Sequence, residues 1–268
     1  MPTNRRKFRD KYGEWALVTG ASAGIGLEFA RQLAREGMSV VLTARREDRL
    51  NTLASELRAE FHVDTRVVPV DLAASDGADR LADAVADLPI AMLVNNAGFG
   101  LAGRFDKLAT DRLREMVVVN CVVPVVLTSR ILPGMVKRGR GAVIVVGSVA
   151  GRQPLPLHAV YSATKGFDLL FGEGLWGELR GTGVDAIVIE PGPTQTEFQA
   201  VAGENVSNHG EPASNVVRAT FDALGKQPSV VSGWFNFFRA NAIRLVPRSL
   251  TAIIAKKVVE KQTPVELR

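Results

Sequence analysis

Trp15-Ala16-Leu17-Val18-Thr19-Gly20-Ala21-Ser22-Ala23-Gly24-Ile25-Gly26 decides the fold. An unbroken apolar run reads as a strand buried on both faces. A glycine turn follows, and an amphipathic segment, Gly26–Glu36, opens directly from it. Strand, glycine turn and helix in that order are the context a dinucleotide-binding turn requires. The glycines permit a tight turn and close backbone approach, while the helix N-terminus offers free N–H groups and a positive dipole end to a pyrophosphate. Gly20, Ser22, Ala23, Gly24, Ile25 and Gly26 are the candidate contacts.

Outward from this turn, short β-branched runs alternate with longer amphipathic segments. Strands are predicted at Trp15–Thr19, Ser39–Ala44, Thr65–Val70, Ala91–Asn95, Ala142–Gly147, Val184–Ile189 and near Val230-Val231. Helices are predicted at Gly26–Glu36, Arg46–Glu60, Asp76–Asp87, Asp111–Lys137, Ala159–Arg180 and Pro212–Leu224. The alternation describes an α/β fold, a doubly wound parallel sheet (Rossmann-like) of about seven strands with helices on both faces. The glycine spacing, Gly-x-x-x-Gly-x-Gly, differs from the G-x-G-x-x-G fingerprint, so the turn takes its weight from its place after the first strand. No internal boundary interrupts residues 1–268, which are expected to form one domain with a basic head (1–12) and a substrate loop with an amphipathic tail (196–268).

Composition narrows the function classes. Hydrophobic residues at 46% and charged residues at 23% are ordinary globular usage. The single cysteine, Cys121, precludes an internal disulfide framework and reads as a small core residue. Three histidines without ligand spacing predict no metal site. The net charge of +5 draws on Arg5, Arg6, Lys7, Arg9 and Lys11, read as a solvated tail rather than a nucleic-acid surface. No h-region follows the head, and no run reaches about 18 unbroken apolar residues, so a cytoplasmic location is expected. Residues 196–211 read as a mobile loop. Beyond it, Trp234-Phe235-Asn236-Phe237-Phe238 and a stripe of Leu250, Ile253, Ile254 and Val258 could pack on the domain, seat a substrate or a second subunit, or make weak contact with a membrane surface.

The second strand ends at Ala44-Arg45-Arg46, where an NAD-preferring fold usually places a carboxylate. Arg45 and Arg46 can instead pair with a 2′-phosphate, in charge-assisted bonds of about 1.5–3 kcal/mol, so NADP is the expected cofactor. One of the two arginines could merely begin a charged helix. Asp71 and Leu72 follow the third strand and could contact the adenine. Asn95, Ala97 and Gly98 follow the fourth, where small residues let a cofactor lie against the backbone.

Tyr161-Ser162-Ala163-Thr164-Lys165 places a phenol and an ammonium one helical turn apart, thirteen residues after Ser148. A lysine charge at ~4 Å, with an effective dielectric of about 20, contributes roughly 4 kcal/mol. That is about three pKa units, enough to bring the phenol near neutrality before desolvation is subtracted. Taken together, the Thr19–Gly26 loop, Asp71, Asn95–Gly98, Asn120, Ser148, Tyr161, Lys165 and Pro191-Gly192 resemble the short-chain dehydrogenase/reductase family over nearly the whole chain. The resemblance implies a proton-transferring Tyr161, a Lys165 bonded to the nicotinamide ribose, a carbonyl-orienting Ser148 and an Asn120 that holds a relay water. It also implies that Pro191, Gly192, Thr194 and Thr196 frame the nicotinamide, and it suggests a homo-oligomer.

The expected activity is hydride transfer between NADP(H) and a ketone, aldehyde or secondary alcohol. Phe198, Val201, Trp234 and Phe235 tilt the small-molecule substrate toward a hydrophobic one. The alternatives are an NAD-linked alcohol dehydrogenase and a nucleotide-binding scaffold protein without turnover. The intact Tyr161 and Lys165 argue against the scaffold. His158 reads as a loop residue near the pocket.

Overall fold

The computed structural model of the chain describes residues 7–204, 210–242 and 246–268. Arg5 and Arg6 of the basic head and Asn205–His209 of the loop lie outside the described residues. The seven strands are β1 (Trp15–Thr19), β2 (Ser39–Ala44), β3 (Thr65–Pro69), β4 (Ile90–Asn95), β5 (Gly141–Val146), β6 (Val184–Glu190) and β7 (Ser229–Val231). They form one parallel sheet in the order β3-β2-β1-β4-β5-β6-β7. The central strands β4 and β5 are buried at every position, which is why their sequences show continuous apolar runs rather than alternation.

The helices are α1 (Lys7–Tyr12), α2 (Gly24–Arg35), α3 (Glu47–Phe61), α4 (Gly77–Ala84), α5 (Thr110–Val117), α6 (Val123–Arg138), α7 (Ala159–Glu178), α8 (Phe198–Ala202), α9 (Ala213–Ala223), α10 (Trp234–Ala242) and α11 (Arg248–Val259). Two separate apolar cores lie on the two faces of the sheet. One gathers Phe29, Leu33 and Leu50; the other gathers Leu81, Leu127 and Leu175. The doubly wound expectation therefore holds.

Two expectations are corrected. The head is not wholly a solvated tail: Phe8 sets its ring against Phe221 at 4.7 Å, and Tyr12 is buried with its hydroxyl 2.8 Å from Asp185. Burial, then the Asp185 carboxylate, push that phenol far above its ordinary range. The single helix expected over Asp111–Lys137 is interrupted by a π turn at Val118–Val122. Pro124 gives the physical reason, because it has no N–H to offer the Asn120 carbonyl four residues earlier. The composite helix Thr110–Arg138 is long and apolar enough to cross a membrane by length and composition alone. Its buried face packs on β4, β5 and α4.

The strand order reverses between β1 and β4, and a latch closes that point. The buried Thr19 hydroxyl donates to the Val94 carbonyl at 3.1 Å and accepts from the N–H groups of Asn96 and Ala97, each at 2.9 Å. Asn96 returns its amide to the Thr19 carbonyl at 2.7 Å. Thr19→Val keeps the shape but leaves both N–H groups without this acceptor. It should destabilise the fold by about 2–4 kcal/mol in urea unfolding, whereas an unchanged midpoint and slope would show the latch to be idle.

Candidate active site

Helix α2 starts with no side-chain cap, so the N–H groups of its first turn remain available to an anion. A Cβ at Gly26 would stand 2.4 Å from the Gly20 carbonyl oxygen, which is why only glycine fits there. Gly24, at φ +56°, meets the Thr196 side chain from the loop after β6. The glycine turn and that loop thus form opposite walls of one cleft at the C-terminal end of the sheet, where doubly wound folds bind their ligands.

At the end of β2, Arg45 and Arg46 differ. Arg45 is exposed and makes no hydrogen bond or ion pair among the described residues, leaving its guanidinium open to an anion. Arg46 donates to Ser22 Oγ at 3.1 Å and to Glu197 at 2.7 Å. Arg49 holds the other oxygen of Glu197 at 2.7 Å. Arg49, with Arg46, keeps the Glu197 carboxyl below the usual carboxylate range. The pairs are exposed, so they add little stability, but they strap the loop after β6 to the start of α3 across the cleft.

Three other expected contacts are redirected. Asn95 turns its amide to Thr128 in α6 at 3.1 Å, so its side chain serves the core. Leu72 is buried in the core with Leu17 and Leu81. Asp71 accepts from its own loop, at the Ala73 N–H. At these positions only the main chain, or Asp71's second oxygen, remains for a nucleotide. Ala97 and Gly98 line the backbone wall as expected, since a Cβ at Gly98 would lie 3.1 Å from Asn120 Oδ1 and 3.6 Å from Lys165 Nζ.

Helix α7 brings Tyr161, Lys165 and Asp168 to one buried stripe, at 9%, 5% and 2% exposure. Lys165 Nζ donates to the Val146 carbonyl at 2.8 Å and to Asp168 at 2.9 Å. The third of its N–H bonds has no acceptor among the described residues. Contrary to the simple lysine argument, Tyr161 is not drawn toward neutrality. Burial pushes the phenol above its ordinary value, against the downward pull of Lys165 and a hydrogen bond from Ser148. Desolvation is the larger cause, and Asp168, which answers the ammonium from the next turn, raises the phenol further.

Ser148 follows β5, and its hydroxyl accepts from the Ala150 N–H at 3.1 Å. Asn120 lies in the π turn with its side chain spent. It donates to the Phe99 carbonyl and Thr164 Oγ1, both at 3.0 Å, and accepts from the Phe99 N–H at 3.1 Å. A relay water would therefore have to sit on its main-chain carbonyl, to which Pro124 has no N–H to offer. Cys121 is half-buried, and burial pushes its thiol up to about 11, which fits the structural reading.

The apolar wall is closed by Phe198, whose ring lies 5.3 Å from that of Tyr161. Val201, Trp234 and Phe235, expected beside it, are exposed instead. His158 is the last loop residue before α7, as expected, and it is buried, with Nε2 2.8 Å from Glu204. Behind the site, Arg152 and the fully buried Glu190 form a two-pronged pair with both bonds at 2.5 Å. The pair joins the loop after Ser148 to the end of β6, next to Pro191. Pro191 accepts from the Val149 N–H at 3.1 Å, Asn236 closes over Gly192, and Thr194 bonds the Gly192 carbonyl at 3.0 Å. Asn96, Asp168 and Glu197 are the residues sequence reasoning passed over.

A family model described as short chain dehydrogenase matches residues 14–207. The very-long-chain 3-oxoacyl-CoA reductase of Homo sapiens is 39% identical over 178 residues, covering 64% of this chain and 56% of that protein. The protein of the same name from Scheffersomyces stipitis is 33% identical over 236 residues, covering 84% and 68%. The chain thus spans little more than half the length of several curated relatives. Among solved structures, one titled for 7beta-hydroxysteroid dehydrogenase stereoselectivity superposes with a TM-score of 0.86 at 29% identity, covering 92% of this chain and 98% of that one. A short-chain dehydrogenase from Sphingobium yanoikuyae in complex with NADPH gives 0.78 at 29% identity, covering 87% and 94%.

Breaking the buried pair tests whether it carries the floor of the site. Arg152→Met removes the guanidinium that both Glu190 oxygens accept from and should cost about 3–5 kcal/mol in chemical denaturation, with Arg152→Met/Glu190→Leu recovering much of the loss. Equal losses in the single and double variants would contradict this.

Proposed function

The chain belongs to the short-chain dehydrogenase family, and from that premise we propose that it reduces a bulky apolar ketone with NADPH. The observation that carries the reading is the buried group of Tyr161, Lys165 and Ser148 at the cleft end of the sheet, opposite the uncapped start of α2. These residues fit a nicotinamide dinucleotide. The turn of Gly20, Gly24 and Gly26 would hold the pyrophosphate, Arg45 the 2′-phosphate, and the remaining N–H of Lys165 a ribose hydroxyl.

When bound, the reduced coenzyme supplies the hydride. The chain supplies the rest. Ser148 orients the ketone oxygen, and Tyr161 delivers a proton to the alkoxide as negative charge develops there. Lys165 answers the charge left on the phenol. Phe198 and Leu155, packed with Tyr161, present an apolar surface that excludes water from the reacting carbon. Such a wall supports a hydrophobic substrate. The relatives named as 3-oxoacyl-CoA reductases and the structure titled for a hydroxysteroid dehydrogenase favour long-chain 3-oxoacyl thioesters and steroid ketones as the first compounds to try.

NADPH consumption with 3-oxoacyl-CoA esters of graded chain length and with steroid ketones tests the reading. Tyr161→Phe should lower the rate by about 10²–10⁴, and equal rates in the two proteins would remove Tyr161 from the chemistry. Arg45→Ala should weaken NADPH binding by about 10–100-fold in a fluorescence titration while leaving NADH unaffected. Parallel losses for both coenzymes would remove the 2′-phosphate from Arg45.

A further inference from the structure

We propose that Asp168, acting through the ammonium of Lys165, keeps Tyr161 in its protonated form and so sets the site to donate a proton, as carbonyl reduction requires. The consequence for direction rests on the function proposed above; the effect on Tyr161 does not. Tyr161, Lys165 and Asp168 stand at positions i, i+4 and i+7 of α7, on one helical face and screened from solvent. Asp168 Oδ2 accepts from Lys165 Nζ at 2.9 Å. Its Oδ1 is buried and has no hydrogen-bond partner among the described residues. The carboxylate therefore spends its bonding on Lys165 alone.

Counting charge in this dry pocket gives the direction. Lys165 and Asp168 together are neutral, so ionising Tyr161 would leave one uncompensated negative charge without water, an expensive state. With a neutral residue at 168, ionised Tyr161 would instead be the partner of Lys165, and the pocket would stay neutral. The neighbouring elements do not reverse this. The π turn contributes Cys121, whose raised thiol is uncharged at neutral pH. The segment after α8 contributes Glu204, a further negative group already bonded to His158. The end of β5 contributes the Val146 carbonyl and, beyond it, the Ser148 hydroxyl. Burial raises the Asp168 carboxyl while the ammonium beside it pulls the other way, and the Lys165 ammonium is raised despite its burial because Asp168 faces it.

Sequence composition makes the test direct. The chain has two tyrosines, Tyr12 and Tyr161, and Tyr12 lies at the distant Asp185 contact. In a Tyr12→Phe background, phenolate absorbance reads Tyr161 alone, with no coenzyme or substrate present, and Tyr12→Phe/Tyr161→Phe is the blank. Adding Asp168→Asn, which still accepts from Lys165 but carries no charge, should lower the titration midpoint by about one pH unit or more. Asp168→Ser, a smaller neutral replacement, should move it the same way and serves if the amide variant does not fold. A midpoint unchanged or raised in a folded variant would overturn the proposal. NADPH binding measured separately by fluorescence keeps the two readings apart: failure to bind removes the proposed function, while the phenol titration still decides the role of Asp168.

Discussion

A full positive charge buried beneath the C-terminal end of a parallel sheet is the constraint the site is built around. An ammonium taken out of water is costly unless its N–H bonds are met. Lys165 meets that demand with a carbonyl at the end of β5 and a carboxylate three residues along its own helix. Both partners require α7 to lie close against the sheet. The approach is visible at Gly151, where a Cβ would stand 2.5 Å from the Lys165 carbonyl. The loop carrying Ser148 is thereby held against the helix carrying Tyr161 and Lys165, and the buried pair of Arg152 and Glu190 fixes its other side. The spacing of serine, phenol and ammonium thus follows from packing around one charge.

The glycine-turn end of the cleft obeys a different rule. There the chain leaves groups uncovered: an uncapped helix start, glycines that admit no Cβ, and, at the end of β2, an arginine with no partner among the described residues. Thr19 and Asn96 hold β1 and β4 together beneath that opening. Across it, Glu197 reaches from the β6 loop to Arg46 and Arg49, so the two walls of the cleft are joined by surface charge rather than by apolar packing. One end of the cleft is dry and fixed; the other is polar and open.

Much of this was legible in the chain. The strands β1 and β2 have the predicted limits, because apolar runs bounded by glycine and charge admit few alternatives. The glycine loop and the Tyr161-Lys165 pair stood out by spacing, Arg45 by its place after β2, and Ser148 by the family resemblance. Side-chain direction was harder: Asn95 and Leu72 sit at positions of the right kind but point into the core, and periodicity does not say which of two adjacent asparagines turns outward. Pro124 signalled the break at Asn120, yet a proline near a helix start reads as ordinary until the preceding segment is known to be helical. The largest omission was Asp168. An acid seven residues after a tyrosine looks like surface charge, and only the packing of α7 shows it enclosed with Lys165.

One buried lysine, anchored by the sheet and by Asp168, would present its last N–H to a coenzyme lying between Tyr161 and the glycine turn. A crystal structure with bound NADP⁺ tests it most directly. The expected result is a nicotinamide ribose hydroxyl on Lys165 Nζ, the ring beside Tyr161, and the 2′-phosphate on Arg45. A dinucleotide bound elsewhere, or one whose ribose leaves Lys165 with only Val146 and Asp168, would contradict it.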